Sequence, residues 1–158
     1  MTRLLTAAVL ACVAASAIAQ TPEPLDPRCE KILPAPVAAK ITGISPLTLV
    51  GRFQVKAAGG TCNYVTDGKL VLLITIDTGG GAEAAWRARY AENAMYKAQK
   101  KPVSGLGSEA FAAFHALFVR KGNDAVSFGS FFNPKTMEPF LRANGLLAVA
   151  KEVVGRLR

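Results

Sequence analysis

The chain has 158 residues, of which 51% are hydrophobic, and its 19 Lys and Arg residues exceed its 11 Asp and Glu residues to give a formal net charge of +8 at pH 7. This length suits one domain that is large enough to bury a substantial core. The excess of basic residues has two interpretations. It could favour contact with acidic envelope surfaces, or the positive charge could simply keep the domain in solution. The single histidine excludes a histidine-rich metal site.

The N-terminus has the pattern of a secretory signal peptide. Arg3 supplies a positive charge, the run from Leu4 to Ile18 is apolar, and Ala17-Ile18-Ala19 has the small residues of a cleavage site. The apolar run is shorter than the roughly 20 residues that span a bilayer core, and no later segment comes closer, so no transmembrane helix is predicted. We predict residues 1–19 to be cleaved and the protein to be periplasmic or secreted. The alternative is a lipoprotein signal that leaves a lipidated Cys12 on a membrane.

Cleavage would leave two cysteines, Cys29 and Cys62. Such a pair in an oxidising compartment predicts a disulfide, because no other metal-ligating residues cluster near it. The chain has no Cys-x-x-Cys motif, so the bond should be structural rather than redox-active. Residues 20–28 contain three prolines and predict a flexible leader, which leaves residues 29–158 as a single domain.

The first half of that domain combines a helix with strand patterns. The pattern predicts a helix over 30–41, split by its prolines and ended by Gly43. A strand over 47–57 should be followed by a turn at Gly59-Gly60.

A hairpin and a long helix are predicted next. Asp67-Gly68 suits a two-residue turn between strands 61–66 and 69–77, because both residues tolerate a positive φ. After Gly79-Gly80-Gly81, the spacing of aromatic residues among charges predicts one amphipathic helix over 82–101.

The last third predicts three strands and a terminal helix. A glycine-containing loop over 103–109 precedes strands that we expect at 110–114, 117–121 and 125–131. Thr136 could cap a final helix with Pro139 in its first turn. The fold class is therefore α+β, an antiparallel sheet with helices packed on it.

Few residues have the chemistry of a catalytic site. His115, paired with a loop carboxylate such as Glu109, is the one candidate for enzymatic function, but a histidine among the apolar residues of FAAFHALF is more typical of a structural role. The glycine runs 79–81 and 105–107 lack the residues of a nucleotide-binding loop and are better explained as tight connections. We predict no enzyme, no cofactor and no metal site.

Two surfaces remain as candidate binding sites. The helix over 82–101 carries cations beside aromatic residues, and a possible anion-binding set is Arg87, Lys97, Lys100 and Lys101. Aromatic residues in the core and cations in solvent explain the same pattern, and exported proteins seldom meet nucleic acid, so an anionic glycan or lipid headgroup is the alternative partner. The second candidate is the loop with Ser104, Gly105, Gly107 and Ser108.

Several segments together resemble a known type of domain. They are Cys29 before a short helix, GGTCNYV at 59–65 with the apolar strand after it, VSGLGSEAF at 103–111, and LFVRKGNDAVSF at 117–128. The combination resembles small exported bacterial proteins of uncharacterised function and is similar in layout to exported lipoprotein domains with a PsbP-like α/β/α sandwich. Ser108 stands where that pattern has an Asp, and the resemblance implies no catalytic residue.

These observations favour a non-catalytic exported domain that binds another envelope protein or a small ligand. The alternative is a basic module that binds anionic envelope polymer or lipid headgroups. The sequence does not predict an oligomeric state.

Overall fold

The computed structural model describes residues 27–52, 59–79, 82–133, 135–136 and 138–157. The predicted signal peptide and most of the predicted leader lie outside these ranges. Within them the chain forms the predicted α+β fold, an antiparallel sheet with helices packed against it. No helix in the described ranges has both the length and the apolar character needed to cross a bilayer.

The sheet has seven antiparallel strands in the order β1-β2-β3-β7-β6-β5-β4. In chain order the strands are β1 Thr48–Arg52, β2 Gly59–Thr66, β3 Lys69–Thr78, β4 Lys101–Pro102, β5 Glu109–Ala113, β6 Ala116–Lys121 and β7 Asp124–Ser130. The interior strand β3 is the longest and pairs with β2 on one side and β7 on the other. The near-continuous apolar character of β3 follows from this interior position.

Helices lie on both faces of the sheet. They are α1 Pro27–Ile32, α2 Ala35–Thr42, α3 Ala82–Ala85, a π-helical segment Trp86–Ala91, α4 Ala94–Lys97 and α5 Ala143–Arg156. The first core lies between the sheet and α1, α2 and α5. The second core lies under α3 and the π-helical segment and contains Trp86, Tyr90, Phe111 and Phe118.

The predicted N-terminal helix is indeed split at its prolines, and Gly43 ends α2 in the left-handed conformation with φ 70°. Helix α1 begins at Pro27 and so includes the last two residues of the predicted leader. The predicted Cys29–Cys62 disulfide is present and ties α1 to β2, with the two Cα atoms 5.6 Å apart.

The hairpin prediction at Asp67-Gly68 is confirmed, and the turn predicted at Gly59-Gly60 is wrong. Asp67 and Gly68 have φ 49° and 71°, as a tight β2–β3 turn requires. Gly59 and Gly60 are instead already part of β2 and pair with Asp77 and Ile76. A Cβ on Gly59 would lie against the carbonyl oxygen of Ile76, and this close approach explains the glycine.

The single helix predicted over 82–101 is wrong. Helix α3 continues into the π-helical segment, where the Glu92 amide donates to the Arg87 carbonyl 2.8 Å away. Asn93 then takes an extended conformation, and its side chain accepts from the Met95 amide at 2.9 Å to start α4. Because of this break, Tyr96 rather than Ala94 continues the packed face.

The final helix begins at Ala143, seven residues later than the predicted cap at Thr136. Pro139 forms an antiparallel bridge with Phe132, and the Phe140 amide donates to the Phe131 carbonyl at 2.8 Å. The chain therefore folds back on itself after β7. The Phe140 amide, which would donate to the Thr136 carbonyl in the predicted helix, donates to Phe131 instead.

Candidate functional site

A cavity of about 370 Å³ lies between the tip of the β5–β6 hairpin and the start of α5. Apolar side chains form most of its lining: Val103, Ala112, Leu117, Leu141, Leu146 and Leu147. Ligand sites in proteins are concave, mostly apolar and typically 300–1,000 Å³. The size and lining of this cavity place it in that class.

Ser130 connects the two walls of the cavity. This buried residue donates its backbone amide to the carbonyl of His115 at 3.1 Å, at the hairpin tip. Its hydroxyl accepts from the amide of Leu141 at 2.8 Å, just before α5. Because one residue bonds to both sides, the separation of the walls is set by the end of β7.

Two exposed aromatic side chains lie at the cavity, one in its lining and one against a lining residue. Phe114 lines the cavity and is 59% exposed, and it takes φ 53° in the turn between β5 and β6. Phe132 is 46% exposed, and its ring packs edge-on against the ring of His115 with the centroids 4.7 Å apart. Exposed aromatics at an apolar opening are typical of contact surfaces.

Polar groups at the cavity come from three side chains, His115, Arg142 and Asn144. The guanidinium of Arg142 pairs with the carboxylate of Glu138 at 3.2 Å, and both side chains are largely exposed. A pair this exposed is held weakly. The site can therefore bind a mainly apolar molecule, and His115, Arg142 and Asn144 are available to bind a polar group on that molecule.

The pairing of His115 with Glu109 as a catalytic couple is not found. Glu109 begins β5, whereas His115 follows its end, a distance of roughly 20 Å along an extended chain. The Glu109 carboxylate accepts from the indole of Trp86 at 2.9 Å and pairs with Lys100 at 3.7 Å. Glu109 thus belongs to the surface of the second core, and His115 belongs to the cavity.

The candidate ligand loop is engaged with the protein itself. Leu106 is buried in the first core, and both the amide and the hydroxyl of Ser108 donate to the carbonyl of Arg120, at 2.7 and 3.0 Å. Gly105 and Gly107 adopt φ 73° and 65°, and Ser104 is exposed. The loop region contributes only Val103 to the cavity lining among the residues described.

The candidate anion-binding side chains are divided between two places. Arg87 pairs with Glu83 at 3.1 Å, and together with Arg120 it holds the pKa of that carboxyl below its ordinary value. Lys100 lies 4.4 Å from the centre of the Phe111 ring and pairs with Glu109. Lys97 and Lys101 are exposed, and Lys101 shares a small surface depression with Phe114 beside the cavity mouth.

Sequence reasoning missed Phe114, Phe132 and Arg142. The turn at Phe114 carries no glycine or asparagine, so no turn signal identifies it. The helix predicted from a cap at Thr136 would contain Arg142, whereas in the structure Arg142 directly precedes α5. Comparison of the chain with protein-family models, with curated proteins and with solved structures finds no match.

Proposed function

We propose that this protein is an exported, non-catalytic domain that binds a small, largely apolar ligand in the cavity between the β5–β6 hairpin and α5. The cavity itself is the observation that carries the proposal. A water molecule occupies about 30 Å³ of liquid, so this volume has room for a ligand of about a dozen non-hydrogen atoms.

Export is supported by the leader-like N-terminus and by the disulfide. The Cys29–Cys62 bond joins two fully buried residues of the first core. Such bonds form and persist in oxidising compartments. A non-catalytic role is supported by the separation of His115 from Glu109 on opposite ends of β5.

The neutral fluorophore 2-naphthol is a suitable probe, because it has one fused ring system and a single hydroxyl. Its emission should change on transfer from water to the cavity, with a dissociation constant on the order of 10–100 µM for a ligand of this size. Titration of the purified protein measures that constant.

Two alanines of α5 provide a matched pair of variants. Ala143 lines the cavity, whereas Ala148 is exposed on the same helix. Ala143→Phe places a ring at the cavity and should weaken 2-naphthol binding by about tenfold or more, while Ala148→Phe adds the same ring away from the cavity and should leave binding unchanged. Equal binding by the two variants, or no binding by the unaltered protein, would refute the proposal.

A further inference from the structure

The tip of the β5–β6 hairpin carries a side chain that its backbone disfavours. Phe114 has φ 53°, in the left-handed region that a bulky residue rarely adopts and that glycine adopts freely. Its ring is mostly in solvent and meets the Tyr96 ring edge-on at a centroid distance of 6.3 Å. Burial therefore compensates little for the strain. Strained residues of this kind concentrate at functional sites.

Cations flank this exposed ring. Lys101 shares a surface depression with Phe114, and Arg142 lines the cavity together with Phe114. Lys97 follows Tyr96 directly and is exposed. Among the described residues that line the cavity or this depression there is no acidic side chain, and Glu138 is brought close through its exposed pair with Arg142. An apolar tip among cations is complementary to a surface that is negatively charged outside and apolar beneath.

We propose that the tip of the β5–β6 hairpin docks onto an anionic lipid bilayer. Phe114 and Phe132 would enter the interface, where aromatic side chains gain from leaving water. Lys97, Lys101 and Arg142 would face the headgroups, each contributing to attraction by anionic lipid. Because Phe114 also lines the cavity, the cavity would then lie next to the bilayer surface. The inference goes beyond the ligand proposal, because docking does not require an occupied cavity.

Co-sedimentation with vesicles tests the docking, with the protein purified from its own host so that the N-terminus is natural. Binding should be strong to vesicles of equal parts phosphatidylcholine and phosphatidylglycerol and weak to phosphatidylcholine alone. Added salt should weaken it, since exposed charges are screened. Equal binding to both vesicle types, or to neither, would overturn the proposal, and the second result would favour a protein partner.

Phe114→Gly separates docking from folding. It removes the ring and the strain together, so vesicle binding should fall by about tenfold or more while the melting temperature is kept or raised. Val50→Ala is the control, because Val50 is 43% exposed on β1, at the opposite edge of the sheet from β4. Vesicle binding by Phe114→Gly equal to that by Val50→Ala would contradict the proposed role of the tip.

Charge variants locate the headgroup contact. Lys101→Gln and Arg142→Gln should each weaken vesicle binding about fivefold. Arg87→Gln should not, because of its distance from the tip: Arg87 and Arg120 share the Glu83 carboxylate, and Arg120 lies roughly 13 Å along β6 from the end that forms the tip. A loss with Arg87→Gln as large as that with Lys101→Gln would place the contact on the π-helical segment instead and refute docking by the tip.

Discussion

Gly107 illustrates how a single backbone position can require glycine for two reasons. It has φ 65°, and a Cβ there would overlap the carbonyl oxygen of Arg120. Gly105 has a similar φ of 73° but open space around it. The two residues therefore separate backbone strain from steric overlap within one loop.

Alanine at these two positions should have unequal effects. Gly105→Ala should lower the free energy of unfolding by about 1 kcal/mol through strain alone. Gly107→Ala should lower it by about 3 kcal/mol or more, because the loop must also move off β6 and lose the Ser108 hydrogen bonds. Urea unfolding followed by circular dichroism measures both, and equal losses would show that the loop relaxes away from β6 without cost.

Tyr64 provides a prediction about pH. Its buried hydroxyl donates to the carbonyl of Leu33 at 2.6 Å. Burial raises the pKa of this phenol, with Glu30 adding to the effect and Arg156 opposing it. As pH rises above about 10, the unfolded chain loses the proton while the folded protein keeps it, so the free energy of unfolding should fall.

Tyr64→Phe removes that contribution. The variant should be less stable at neutral pH, because the Leu33 carbonyl loses its donor, but its stability should decline less steeply in alkali. Burial of Tyr90 raises a second phenol pKa and leaves a residual slope in both proteins. Urea midpoints between about pH 8 and 11 make the comparison, and parallel curves would contradict the assignment.

Among the elements, local signals were sufficient where one residue type decides the conformation. Asp67-Gly68 identified the hairpin, and Gly43 identified the end of α2, because both turns need a positive φ. The break after Ala91 depends on a π-type hydrogen bond and on Asn93 as a cap. Periodicity over 82–101 averages across that break, so the pattern indicated one helix where the structure has three segments.

The end of α5 is held by a side chain from the sheet. Lys121, the last residue of β6, donates its ammonium to the carbonyls of Val154 and Leu157, at 2.8 and 2.5 Å. The final carbonyls of a helix lack hydrogen-bond partners within the helix. A cation there also interacts favourably with the negative end of the helix dipole. One side chain therefore connects the C-terminus of α5 to the sheet.

Lys121→Met should lower the free energy of unfolding by about 1–2 kcal/mol, because the charged hydrogen bonds are lost while the apolar stem is kept. Lys151→Met is the control, since Lys151 is exposed on the same helix. Hydrogen exchange should show faster exchange in the last turn of α5 for Lys121→Met alone. Similar exchange in both variants would mean that the contact does not hold the helix end.

At the scale of the whole molecule, the cavity could not be predicted from the sequence. Its walls come from the loop at Val103, the β5–β6 hairpin and the start of α5, and no local pattern joins them. Apolar character alone does not distinguish a residue that lines a cavity from one that packs in a core. The disulfide, by contrast, required only a count of cysteines and an oxidising compartment.

That disulfide should govern the stability of the entire domain. It closes a sequence separation of 33 residues and ties α1 to β2 in the first core. Closing such a loop restricts the unfolded chain, so reduction should lower the free energy of unfolding by about 3–4 kcal/mol. Urea unfolding with and without reductant measures the difference, and intact mass of protein purified from its host shows whether the bond is formed there.

The double variant Cys29→Ala with Cys62→Ala is the control for reduction. It should be no more stable than the reduced protein, and its urea midpoint should not respond to reductant, because both cysteines of the described fold are gone. A helix held to the sheet by this bond should also lose protection first when the bond opens, so α1 should exchange its amides faster than α5 does. If reduction left the midpoint of the unaltered protein unchanged, packing of Leu33 and its neighbours would hold α1 without the covalent link, and the stabilising role assigned to the disulfide would be wrong.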